Sequence, residues 1–332
     1  MPRPPAVARV LERVTATARS HQMFRPGELV LVACSGGPDS MCLLHSLYHL
    51  RRLFRIKLGV FHFDHRLRPV SGKDAAYVKR AATGLRLPLH LLVADSQPRR
   101  GQSVEDWAHQ ARLAAMGAAL RESGAGRMTI GHTLDDQAET VLIALIRGGG
   151  PDAVAGIRPV MGPFAQPLID VSREEVEAFL RALRLRPRRD PTNRDARMLR
   201  NAVRLKGIPA LQRAVGREIA GPFARSAALL RADADFVREA AAQHVDELVE
   251  DTPEGVVLPA RDLSLMPRAL GSRVAGQAML RCGVLATAEA VEAVLGLAAG
   301  RPGRKRDLPG GLKAVRDREY VRLSRPSPES AA

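Results

Sequence analysis

The chain is poor in cysteine, in lysine and in long apolar runs, and each shortage excludes something. Cys34, Cys42 and Cys282 are the only cysteines. They form neither a CxxC pair nor a dense disulfide pattern, so a reducing cytoplasm is the expected setting. The N-terminus carries basic residues but no apolar stretch followed by a small-residue cleavage site, which argues against secretion. The apolar run at residues 29–34 is too short to cross a bilayer, and charges interrupt the longer stretches. No membrane partner is expected.

Arginine is what the chain has in excess. Lys+Arg total 51 against Asp+Glu 35, a formal charge of +16, and only six of the basic residues are lysines. Such an excess attracts a polyanion and speeds its encounter with the protein. A general preference for Ala, Arg and Gly offers a blander explanation. With 332 residues, 45% of them apolar, the chain has material for a substantial core and a smaller second domain.

Residues 29–34 read as a buried strand and 35–38 as a loop, after which Met41, Leu43, Leu44 and Leu47 open a helical apolar pattern. Further strands are expected at 56–63, 89–93 and 128–131, alternating with helices at 74–83, 104–120 and 135–147. The alternation predicts an α/β fold with a parallel sheet covered by helices, whose ligands lie beyond the strand C-termini. A helix at 172–183 precedes a basic, polar segment at 184–201. The expected organisation is a catalytic domain over 1–215, a linker at 216–221 and a smaller, mainly helical domain over 222–332. In that second domain helices are predicted at 236–248, 269–281 and 288–297, the last capped by Thr287, with weak strand patterns at 312–315 and 320–323. The Ser/Pro/Glu tail is expected to be flexible.

Ser35-Gly36-Gly37-Pro38-Asp39-Ser40 falls between the first strand and its helix. Amides and hydroxyls there can converge on phosphate oxygens, and the helix N-terminus adds partial positive charge. Gly36 and Gly37 permit close backbone approach, and Asp39 can act through a metal. The competing reading is a tight connection with a Ser or Asp cap. No lysine occupies the loop, so a Walker-type GxxxxGK[ST] site is excluded.

Four further blocks carry chemistry-bearing side chains. His62-Phe63-Asp64-His65-Arg66-Leu67-Arg68 falls at the same sheet edge, where Asp64 can order a metal or ribose, His65 a substrate and Arg68 an anion. Polar loop hydrogen bonds are the alternative for each. Glu105 and Arg112 lie about two turns apart on one helix; with Trp107, they read first as structural. In Gly131-His132-Thr133-Leu134-Asp135-Asp136-Gln137-Ala138-Glu139-Thr140, positions 136, 139 and 140 share a helical face on which two carboxylates can meet an ammonium group. Asp135 reads equally well as a stabiliser of the helix N-terminus. Asp190-Pro191-Thr192-Asn193-Arg194-Asp195 precedes Arg200-Asn201-Ala202-Val203-Arg204, whose arginines suit phosphate or carboxylate recognition or a domain contact.

The loop resembles the SGGxDS signature of the PP-loop ATP pyrophosphatase superfamily, in which the loop holds the β- and γ-phosphates while a nucleophile attacks the α-phosphorus. The ordered set SGGPDS, HFDHRLR, the Glu105–Arg112 helix, GHTLDDQAET, RGGG, DPTNRD and RNAVR resembles the tRNA(Ile)-lysidine synthase family within it, over most of residues 29–215. The resemblance implies a PP-loop domain that uses ATP and Mg2+ to adenylate the carbon-2 oxygen of a wobble cytidine in tRNA(Ile). L-lysine then displaces AMP. It further implies that Ser35, Gly36, Gly37, Pro38, Asp39 and Ser40 bind pyrophosphate, that Asp39 helps place the metal, and that Asp64, His65 and His132 complete the expected nucleotide-binding set. Asp136, Glu139, Arg200 and Arg204 become the catalytic or lysine-orienting residues. Expected partners are tRNA(Ile) and L-lysine, and a homodimer is among the expected assemblies.

The chain departs from the family's middle-helix pattern Glu-x-x-Ala-Arg-x-x-Arg-Tyr, having His109 and Leu113 where that pattern has Arg and Tyr. Neither role is carried over, since imidazole is not permanently charged and leucine has no hydroxyl. A tRNA sulfur-transfer enzyme is the nearest alternative, disfavoured by the missing CxxC pairs. A nonenzymatic RNA-binding module would account for the charge alone.

Overall fold

A computed structural model describes residues 3–67, 71–99, 101–188 and 197–325, without the side chains of Ser71 and Glu105. The roles expected of Arg68, of the Glu105 side chain and of residues 190–195, and the flexible tail at 326–332, lie outside the described residues. The chain divides into two compact units, Met1–Ala228 and Leu229–Ala332.

In the first unit, β1 (Leu29–Ala33), β2 (Lys57–Asp64), β3 (Leu89–Val93), β4 (Arg127–Thr129) and β6 (Phe164–Ala165) run parallel, and β5 (Val160–Met161) closes the edge antiparallel to β6. The sheet order is β3-β2-β1-β4-β6-β5. Val32 of β1 pairs with Val60 on one side and Thr129 on the other. The order reverses direction at β1, which makes its C-terminal end a switch point where an open α/β sheet leaves a crevice. The three central residues of β1 are buried, as a strand covered on both faces requires.

Helices α1 (Pro5–Ser20), α2 (Pro38–Leu50), α3 (Ser71–Gly84) and α7 (Arg173–Ala182) cover one core, in which Val10, Val14, Leu43, Leu47, Val60, Val78 and Phe179 meet. A second core forms where α4 (Val104–Ser123) packs Met116 and Ala119 against Leu31, Phe61 and Met128. Among the described residues before residue 216, this unit further contains α5 (Leu134–Ile146), the short α6 (Pro151–Val154), α8 (Leu199–Ala202) and α9 (Ile208–Val215). A π turn at Val203–Gly207 joins α8 to α9.

Helix α10 (Ala220–Leu248) begins well before the predicted residue 236, and the division between the units falls inside it. Gly221, expected to end the linker, and Pro222 occupy its first turn, where the missing proline N–H costs nothing. The Glu218 carboxylate accepts from the amides of Ala220 and Gly221.

The second unit joins β7 (Glu250–Thr252), β8 (Gly255–Pro259), β9 (Lys305–Asp307), β10 (Lys313–Arg316) and β11 (Tyr320–Ser324) into an antiparallel sheet of order β7-β8-β11-β10-β9. Helices α11 (Ala260–Leu265), α12 (Arg268–Arg281) and α13 (Ala288–Ala298) share a core with it around Val274, Val294, Leu258 and Leu323. Thr287 caps α13, accepting from the Ala290 amide at 3.2 Å. Among the described residues, no helix is long and apolar enough to cross a membrane.

Candidate active site

The loop after β1 is held open by its own polar groups. Gly36 has φ +85°, and a Cβ there would meet Tyr77 at 3.2 Å, so both backbone angle and space require glycine. Ser40 Oγ donates to Gly37 O (3.0 Å), Ser35 Oγ lies 3.2 Å from Ser40 Oγ, and the Gly37 amide donates to Ser35 Oγ (3.3 Å). Gly37 is the N-cap of α2 and Pro38 its first residue, so the amides of the first turn point away from the helix at the sheet edge. His62, buried on β2, donates from Nδ1 to Cys34 O at 2.7 Å and ties the loop to the neighbouring strand. The sequence pattern assigned His62 no separate task.

Asp39 sits in the first turn of α2. Its Oδ1 is buried without a hydrogen-bond partner, and burial, with the Asp136 charge adding to it, raises its pKa to about 6. An orphaned carboxylate oxygen beside an anion-binding loop has the chemistry of a hard-cation ligand. No group of three or more His, Cys, Asp or Glu that could hold a metal occurs among the described residues. A cation at Asp39 would therefore draw its other ligands from phosphate and water, the usual Mg2+ arrangement.

Opposite the loop, Thr133 and Asp136 form a capping box at the start of α5. Asp136 Oδ2 accepts from Thr133 N and Oγ1, both at 2.9 Å, which leaves Oδ1 directed at arginines. Glu139 lies one turn on, its side chain only 1% exposed. Arg200 bridges the pair: its Nε donates to Glu139 Oε2 at 3.0 Å and its Nη2 to Asp136 Oδ1 at 3.2 Å. Burial raises the Glu139 pKa, and the Asp136 charge raises it further against the pull of two arginines. In Asp136 the arginines, His132 and the Thr133 amide outweigh burial, and the pKa falls. Thr140 donates to the carbonyl of Asp136 (2.8 Å), a bond internal to the helix rather than a support for the carboxylates.

Gly131 brings this block against the phosphate loop. A Cβ on it would stand 3.2 Å from the carbonyl carbon and oxygen of Asp39 and 3.3 Å from the Ser40 amide. His132 Nδ1 lies 3.0 Å from Gln166 Oε1, and burial holds its pKa below the ordinary value. Arg112, read from sequence as structural, belongs to the same charge field. Although it keeps accessible surface, crowding and then the Arg200 charge lower its pKa, and its charge in turn acts on His132.

Other expected residues have more local partners. Asp64 Oδ1 accepts from the Arg66 amide at 2.9 Å, and His65 packs edge-on to Phe63 with centroids 4.6 Å apart. Arg204 Nη2 donates to Asn201 Oδ1 at 2.8 Å. The sequence pattern did not single out Arg173, whose guanidinium lies 3.3 Å from Glu139 Oε1 and 3.6 Å from Asp136 Oδ1. Its only signal in the sequence was its place after Ser172 at the start of a predicted helix.

A switch-point phosphate loop without a Walker lysine, faced by a carboxylate pair, defines a nucleotide-binding PP-loop domain, and residues 8–211 match the PP-loop domain family. The chain belongs to the tRNA(Ile)-lysidine synthase family of PP-loop proteins. It is 38% identical to the tRNA(Ile)-lysidine synthase of Symbiobacterium thermophilum, over 96% of this chain and 70% of that protein. To the tRNA(Ile)-lysidine synthase of Bifidobacterium longum it is 32% identical, over 91% of this chain and 88% of the relative. Among solved structures, the U34-tRNA thiolase NcsA of Methanococcus maripaludis with its 4Fe-4S cluster matches with TM-score 0.59 at 15% identity, covering 68% of this chain and 79% of that one. That likeness concerns the fold.

Proposed function

We infer that the chain is an AMP-forming, ATP-dependent ligase that joins L-lysine to carbon 2 of the wobble cytidine of tRNA(Ile). Support comes from family membership and from one geometric observation above all. The phosphate loop and the Asp136–Glu139 pair lie against each other through Gly131, so one crevice can hold ATP and an amino acid together.

In the first step the carbon-2 oxygen of the cytidine attacks the α-phosphorus. A P–O bond forms, the bond to the β-phosphate oxygen breaks, and pyrophosphate leaves in the loop. Amides at the start of α2 and the hydroxyls of Ser35 and Ser40 hold the leaving group's charge. Asp39 would hold Mg2+ there, which when bound neutralises phosphate charge. In the second step the ε-amine of lysine attacks carbon 2, the C–O bond to AMP breaks, and the amine gives up a proton. A carboxylate pair around that amine would keep it protonated and oppose attack. Asp136 and Glu139 therefore suit the α-ammonium of lysine, with Arg200 placed among the same groups. Asp64, His65, His132 and Arg204 take supporting places around nucleotide and tRNA.

Sulfur transfer fits less well. Burial pushes the thiols of Cys34 and Cys42 up to about 11 and about 12, far from the thiolate such chemistry needs. The deciding assay measures lysine-dependent AMP release by the pure protein across defined tRNAs, with mass analysis of the modified nucleoside. Lysidine in tRNA(Ile) is expected; AMP release that ignores lysine would overturn the reading. Sedimentation of the same preparation would test the expected homodimer.

A further inference from the structure

We infer that Arg173 is a positioning residue for the amino-acid substrate: it holds Asp136 and Glu139 aligned and ionised, so that an incoming ammonium meets two carboxylates. The inference rests on the lysine-ligase reading above and assigns a task to a residue outside every motif that suggested that reading.

Three contacts fix the start of α7, where Arg173 is the first helical residue. Its own amide donates to Asp135 Oδ2 at 2.6 Å, which ties it to α5. Ser172 and Glu175 form a capping box in which Glu175 Oε2 accepts from the Ser172 amide at 2.9 Å and its hydroxyl at 3.1 Å. The other oxygen of Glu175 pairs with Arg13 Nε of α1 at 2.8 Å. From this fixed base the guanidinium reaches Glu139 Oε1 with both terminal nitrogens, at 3.4 and 3.3 Å, and Asp136 Oδ1 at 3.6 Å.

Arg200 takes the other Glu139 oxygen, so the two oxygens of one buried carboxylate are held by guanidinium groups from two elements. Such division fixes the plane of the carboxylate, because each guanidinium here reaches only one of its two oxygens. Two acids and two arginines are already neutral together, so an arriving ammonium is accommodated best if one guanidinium yields its place. Arg200 is suited to yield, being in a first helical turn that has no side-chain cap and with its side chain 42% exposed, against 32% for Arg173. Without Arg173, burial and the Asp136 charge would drive Glu139 toward its neutral form, which attracts an ammonium weakly.

The test is a lysine titration of lysidine formation by the wild type, Arg173→Gln and Arg173→Lys, beside ATP–pyrophosphate exchange with matched tRNA and a thermal melt of each protein. For Arg173→Gln the lysine KM is expected to rise on the order of tenfold, more than kcat or the exchange rate falls. Arg173→Lys restores charge without the fork and is expected to recover most of that KM. If the glutamine variant does not fold, the lysine variant decides by itself: its KM should rise a fewfold while exchange is retained. An unchanged lysine KM in a folded variant, or a lysine variant no better than glutamine, would overturn the inference alone. A wild-type protein that makes no lysidine would overturn it together with the functional reading.

Discussion

Glu139 and Asp39 are both carboxylates whose pKa burial raises, and their neighbours suit them to different tasks. Glu139 has two guanidinium partners and no vacant oxygen, whereas Asp39 has an oxygen without any partner. Glu139→Gln is therefore expected to lower kcat/KM for lysine on the order of tenfold, since a charged buried hydrogen bond is removed. Measurable adenylation should persist, and the defect should be largest at limiting lysine. Exchange that collapses with an unchanged lysine dependence would place Glu139 in the first step instead. Asp39→Ala is expected to cut tRNA-dependent pyrophosphate release more than it weakens tRNA binding, measured on matched folded protein; equal losses would refute the separation. At this scale the sequence disclosed the acids, because a glycine-rich junction and an i, i+3 pair are local patterns. Arg173 escaped, and Arg112 was read first as structural, because their relevance arises from charges that the fold brings near them, Asp136 and Glu139 for Arg173 and Arg200 for Arg112, which no local spacing records.

Among the elements, α2 carries a pH-dependent liability apart from the chemistry. Burial, and then the charge of His49, lowers the His45 pKa to about 4 from an ordinary value of 6.5. Below pH 6.5 the unfolded chain takes up a proton that the folded helix refuses until about pH 4, so this group contributes a loss of stability as pH falls through that window. Replacing His45 with Gln should make the drop in Tm between about pH 7 and about pH 5 smaller than in the wild type, as followed by circular dichroism. An equal drop would remove His45 as its source. The parallel strands and their helices were legible because short apolar runs alternate with helical patterns: β3 matches its expected bounds, β1 ends one residue early, and β2 is displaced by one residue at both ends. Helix α1 went unread although Val7, Val10, Leu11 and Val14 have helical spacing; its basic, proline-led start obscured it. Strand β7 was missed because a three-residue polar segment carries too little periodicity to register, and its partner β8 went unread with it.

For the molecule as a whole, the charge of +16 matters through where it is exposed. Arg301, Arg304, Lys305, Arg306, Lys313 and Arg318 of the second unit are exposed, whereas Arg316, grouped with them in sequence, is buried and donates to the Asp317 carbonyl. Strand alternation turns it inward beside Ala314. Replacing Arg301, Arg304, Lys305 and Arg306 with Gln should weaken tRNA binding and flatten its salt dependence. The slope should change by on the order of one for each phosphate that is no longer neutralised. A salt series of Kd values checks this, and an unchanged slope would leave those side chains as solubilising charge.

The glycine at 131 also has a bearing on fidelity. A Cβ on it would stand 3.2 Å from the Asp39 carbonyl and 3.3 Å from the Ser40 amide, so it sets how closely the phosphate loop and the start of α5, the sites proposed for nucleotide and amino acid, can approach. An activated cytidine is open to hydrolysis, and its survival depends on how soon the next reactant arrives relative to water. Gly131→Ala would ask the Asp39–Ser40 backbone to give by a few tenths of an ångström, and the expected signature is leakage: more AMP released for each lysidine formed, with the excess growing as lysine is withdrawn.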